Sequence, residues 1–99
     1  MKIEIERVAN VWESLTDTPE GAANMTIRSQ LLLAVGDAVK GWTLPQAQAA
    51  ERLGITQPRL NDLLRGRIAK FSLDALVNLT ARAGLVICLD VQDTGQAAA

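Results

Sequence analysis

The side chains with the most specific chemistry to offer lie between Thr56 and Lys70. Gln57 and Asn61 carry amides that can meet an adenine edge with two hydrogen bonds each, and the guanidinium fork of Arg59 suits guanine N7 and O6. Asp62 can accept from a cytosine amine or orient an arginine, and Pro58 offers apolar contact, for instance to a thymine methyl. Arg65, Arg67 and Lys70 follow at once and suit phosphate oxygens. This is the chemistry of recognition. Nothing points to catalysis: histidine is absent, Cys88 is the sole cysteine, and the carboxylates are too scattered for an acid–base pair. No phosphate-cradling glycine loop is present either. The expectation is a non-enzyme with no cofactor, no metal and no internal disulfide.

Charge is distributed unevenly along the 99 residues, although the net value is only −1. Met1 to Thr26 holds two basic and five acidic residues; Ile27 to Lys70 holds seven basic against three acidic; Phe71 onward holds one against three. The positive charge therefore surrounds the recognition groups, as a phosphate-binding face requires. Taken alone, such an excess also fits an ordinary solvated surface.

Two short helices must position these groups. The first is expected over Leu44 to Leu53, with Thr43 as its cap, Pro45 in its first turn and Gly54 at its end. Thr56 then caps a second helix with Pro58 in its first turn, and Gly66 ends it. Counting Gln46 as the first position, small Ala50 is fifth, Gly54 ninth and Leu60 fifteenth. Ala49, Leu53, Ile55, Leu60 and Leu63 then face inward, which is the pattern of a helix-turn-helix. In that motif the second helix enters the major groove by its N-terminal residues, and the free N–H groups at both helix starts can meet phosphates.

The rest of the chain supplies the support. Lys2 to Glu6 alternates as a short strand does, and Val8, Val11, Trp12 and Leu15 follow helical spacing. Thr18 as cap, Pro19 and Glu20 open a helix expected to run to about Lys40, with Gly41 at its end and Ala22, Met25, Leu32, Val35 and Val39 buried. Ser72 caps a further helix, Leu73 to Ala83, with Leu73, Leu76, Val77 and Thr80 as its inner stripe and Gly84 as its stop. Leu85, Ile87, Leu89 and Val91 then alternate with Val86, Cys88 and Asp90 as a strand, whose setting makes the Cys88 thiol a buried, inert one. A lone strand needs a partner: either the N-terminal strand or the same strand of a second chain. A homodimer through Leu85, Ile87, Leu89 and Val91 would set two reading helices on one face of a duplex. Trp42 reads as core; Trp12 reads equally as core or as a partner anchor.

The run QAQAAERLGITQPRLNDLLR resembles the helix-turn-helix of the phage-repressor (Xre/Cro-like) proteins. With the continuation RGRIAKFSLDALVNLTARAGLVICLDV, it is similar to the HigA-like antitoxins of bacterial toxin–antitoxin pairs, over about Ile5 to Val91. The resemblance implies a repressor of its own operon, with Gln46 donating to a phosphate. It also implies a RelE- or HigB-like ribonuclease toxin as a partner, which the N-terminal residues Val8, Val11, Trp12 and Leu15 would contact. The alternative is a module that neutralises such a toxin without sequence-specific DNA binding.

The whole reads as one mainly α-helical domain, a phage-repressor-like bundle of about five helices with a short C-terminal β-strand. Residues 1–18 form an N-terminal strand and short helix, 19–84 the DNA-binding domain, 85–91 the dimerisation strand and 92–99 a disordered tail. No apolar run is long enough to span a membrane, and the opening MKIEIER lacks the apolar core of a signal peptide. The expected partner is double-stranded DNA with a palindromic operator, and the expected location is the cytoplasm, on the nucleoid when bound.

Overall fold

The computed structural model describes residues 18–93. The expected N-terminal strand and the Val8–Leu15 segment lie outside those residues, as does the tail beyond Asp93. Within them are four α-helices: α1 (Pro19–Trp42), α2 (Gln46–Leu53), α3 (Gln57–Leu64) and α4 (Leu73–Arg82). A single 3-10 turn, Ile68–Lys70, links α3 to α4.

Local chemistry explains most of these boundaries. Thr18 accepts from the Gly21 N–H at the start of α1, Thr56 from Arg59 at the start of α3, and Ser72 from Ala75 at the start of α4. At the other ends, α2, α3 and α4 close with the same paired bonds. Ile55 N–H donates to the Ala50 carbonyl and Gly54 N–H to Glu51; Arg67 and Gly66 do so to Asp62 and Leu63; Leu85 and Gly84 do so to Thr80 and Ala81. Each motif turns on a glycine with positive φ: Gly54, Gly66 and Gly84.

The junction of α1 with α2 departs from expectation. Gly41 stays helical and α1 runs on to Trp42, whose half-buried ring packs against the core. The left-handed position falls instead on Thr43, at φ 52. That conformation costs a β-branched residue about 1 kcal/mol or more. Thr43 is therefore the last cap of α1, its hydroxyl donating to the Trp42 carbonyl, and not the first cap of α2. Helix α2 starts after Pro45 with no side-chain cap.

The core is one cluster drawn from all four helices and the connector. Leu31, Val35, Leu53, Leu60, Phe71 and Leu76 are at most 1% exposed. Helix α1 packs chiefly on α4, and α2 on α3, so the two short helices sit as a unit against the longer pair. The inner stripe of α4 keeps the expected Leu76 and Thr80, with Leu73 half-buried against the core, but Leu79 and Ala83 complete it in place of Val77, which is exposed. Met25 of α1 is only half-buried.

Residues 85–93 form neither a helix nor a strand. Leu85 and Ile87 still pack on the core and alternate with exposed Val86 and Cys88, but Leu89 and Val91 are exposed. The expected β-strand is absent here because a strand exists only by its ladder, and residues 86–92 make no backbone hydrogen bond within the described part of the chain. The Cys88 thiol is exposed, not buried, because it faces outward with Val86 while Leu85 and Ile87 face the core.

Candidate nucleic-acid interface

Helix α3 is set by two leucines. Leu60 and Leu63 are buried against the core. At 3.6 residues per turn, Pro58, Asn61, Asp62 and Arg65 fall on the opposite side, with Gln57 and Arg59 on the two flanks. Gln57, Pro58 and Arg65 are exposed; Arg59, Asn61 and Asp62 are half-buried. The Gln57 and Asn61 amides engage no other described side chain or backbone group. The Thr56 hydroxyl oxygen accepts from the Arg59 N–H at 3.3 Å, which leaves its own O–H free to donate outward.

The cations divide into two sets. Arg65, Arg67 and Lys70 are exposed within six residues of the end of α3. Arg67 pairs with Asp62 at 3.1 Å, with the carboxylate 23% exposed and the guanidinium 50%. Asp62 thus orients an arginine, one of the two roles its sequence position allowed. Other arginines of the basic stretch are engaged within the chain. Arg59 lies 4.4 Å over the Phe71 ring and donates to the Lys70 carbonyl at 3.2 Å. Arg28 of α1 donates to the Phe71 carbonyl at 3.1 Å. Arg52 of α2 stacks over Trp42 at 4.0 Å. The local positive excess is therefore partly structural cement; exposed Arg65, Arg67 and Lys70 lie beside α3, and exposed Lys40 lies apart in the last turn of α1.

The start of α2 adds a smaller element. Gln46 is exposed in its first turn, and no side chain caps the N–H groups there. Such uncapped donors suit a phosphate. The turn that sets α2 against α3 is braced from behind by Arg82 of α4, which donates to the Leu53 carbonyl at 3.0 Å and to that of Gly54 at 3.4 Å. A cation at that helix end also complements its dipole. A Cβ on Gly54 would collide with this guanidinium.

Arg28, Phe71 and Arg82 carry no local sequence signal for these roles. Each acts across a separation of tens of residues, which periodicity and cap rules cannot see. No group of metal-ligating side chains occurs among the described residues. None of the helices described is long and apolar enough to cross a membrane.

Two short helices joined by a glycine turn, the second with a polar outer face and a basic exit, define a helix-turn-helix, a DNA-binding module. A family model described as a helix-turn-helix domain matches residues 14–92, and the chain belongs to that family. No curated protein matches the sequence.

Proposed function

We propose that this chain is a sequence-specific transcriptional regulator, a repressor that places α3 in the major groove of operator DNA. One observation carries the reading. The outer face of α3 leaves the Gln57 and Asn61 amides unengaged, directly beside exposed Arg65, Arg67 and Lys70. Amides suit base edges and cations suit phosphates, so readout and anchoring sit on one surface. Gln46, Thr56 and the N–H groups at the start of α2 add phosphate donors on the same unit. Pro58 offers an apolar contact beside them.

The test is a titration of duplex from the region upstream of its own gene against random duplex of equal length. Clear preference for the first is expected. Equal affinity for both would overturn the regulator reading and leave the fold to protein contacts.

Exposed Val86, Leu89 and Val91, at 68%, 62% and 84%, favour a homodimer in which two copies pair along residues 85–91. The unbonded backbone of residues 86–91 supports the same pairing. Charged residues in place of Ile87 and Leu89 should give monomers in sedimentation. A wild type that is monomeric at tens of micromolar would contradict the dimer, since micromolar affinity is about −8 kcal/mol.

The antitoxin role rests on the resemblance to HigA-like proteins. It makes the chain the cytoplasmic partner of a RelE- or HigB-like toxin, bound near Trp12, and an autoregulator of their shared operon. Capture of a neighbour-encoded toxin by the full chain, but not by one starting near Pro19, is the expected result. Equal capture by both would exclude that location.

A further inference from the structure

The connector between α3 and α4 is held from three directions. Arg59, on one flank of α3, donates to the Lys70 carbonyl at 3.2 Å and stacks its guanidinium 4.4 Å over the Phe71 ring. Arg28, on α1, donates to the next carbonyl, that of Phe71, at 3.1 Å. The Phe71 ring itself is 1% exposed and belongs to the core. Arg28 is held here at a cost, since its Nε is buried with no hydrogen-bond partner. Two arginines from different helices thus grip successive carbonyls of one short segment.

That segment carries the cations. Lys70 is exposed, and its backbone carbonyl is the group Arg59 holds. Arg67 is tied to the same helix through Asp62. Both ties run from the basic connector back to α3, so a phosphate contact at Lys70 or Arg67 is fixed in register with whatever α3 reads. Arg59 is half-buried and already committed on both its ring face and a donor.

We propose that Arg59 is a positioning residue and not a reader of guanine: with Phe71 and Arg28 it sets the placement of Lys70 and Arg67 relative to α3, and base readout is left to Gln57 and Asn61. This rests on the DNA-binding reading above. A guanidinium stacked on a ring and bonded to a carbonyl uses its planar fork in a way a lysine cannot reproduce. A direct phosphate contact, in contrast, needs chiefly the charge.

The experiment selects a preferred duplex from a randomised pool with the wild-type chain. It then compares variants by base-preference profile, salt slope and thermal unfolding. Arg59→Ala is expected to bind the selected duplex about tenfold more weakly, the scale of one lost charge-assisted contact. Its base profile should be unchanged and its salt slope lowered. Phe71→Leu should reproduce that loss with the Arg59 charge still present, and the double variant should be no weaker than Phe71→Leu alone. Arg59→Lys, which keeps the charge and leaves the core intact, should fail to restore the slope; it decides the matter if Phe71→Leu proves unfolded. Asn61→Ala should instead flatten the preference at one base pair. Loss of preference at a single guanine in Arg59→Ala would overturn the proposal, as would full recovery in Arg59→Lys. A wild type that selects no duplex at all would overturn the proposal together with the DNA-binding reading.

Discussion

The helix-turn-helix unit and the segment after α4 treat their backbones in opposite ways. Between Gln46 and Gly66, helix ladders, the Thr56 cap and two glycine-closed ends use the peptide groups inside the chain, with the start of α2 the exception. Ala49, Ala50, Leu53, Leu60 and Leu63 are all buried there. Between Val86 and Gln92 the peptide groups bond to nothing else described, and three of the four large aliphatic side chains are exposed. A buried backbone must be paired, and an exposed apolar one invites pairing. The first region is finished as a monomer and offers only its polar surface to a partner. On the proposed dimer, the second is where another chain completes the fold.

The contrast can be broken first at a leucine from each region. Leu60→Ala should cost roughly 2–5 kcal/mol, because Leu60 is fully buried among all the helices. Leu89→Ala should leave the denaturant midpoint nearly unchanged at low protein concentration and lower it only where a dimer is populated. Equal losses at high dilution would erase the distinction between the two regions. Next comes the turn. Gly54→Ala forces an alanine into φ +72 and displaces Arg82, so about 1–2 kcal/mol or more is expected in thermal unfolding. A smaller effect belongs to the cap: Thr56→Ala should cost about 1 kcal/mol, with Thr56→Ser nearly neutral. The smallest has the opposite sign. Gly36 is buried in α1, yet an added Cβ would meet only Leu63 Cδ2, at 3.9 Å. Gly36→Ala should therefore gain about 0.5–1 kcal/mol, and a loss would show the α1–α3 contact to be tighter than that distance implies.

What could be read in advance was whatever is local. Thr56, Ser72, Gly54, Gly66 and Gly84 mark their helix ends through bonds spanning three to five residues, and all five act as the sequence indicates. The alternation of Ala49, Leu53, Leu60 and Leu63 likewise locates the inner faces of α2 and α3. Errors arise where a distant contact decides. Helix α1 passes through Gly41 because Trp42 gains a place against the core, and that moves the left-handed cap to Thr43. On α4, leucines and valines occupy both candidate faces, and packing on α1 and α2 selects Leu79 over Val77. Not an error but an omission is the pair of contacts that Arg59 makes to Phe71 and Lys70, twelve and eleven residues on, which lie beyond any cap or helix-face rule. Cys88 is exposed because Leu85 and Ile87 take the core side of the alternation, and no second layer covers the other side among the described residues.

The central claim is that the surface formed by α3 and its basic exit binds DNA through phosphates as well as bases. Its most direct test is the affinity for the preferred duplex as a function of salt, for the wild type and for Arg67→Ala. Each phosphate contact contributes about −0.9 to the slope of log K against log salt. The account predicts a steep wild-type slope. It also predicts that Arg67→Ala lowers it by about one unit while weakening preferred and random duplex alike. A slope that Arg67→Ala leaves unchanged, or a loss confined to the preferred sequence, would contradict it.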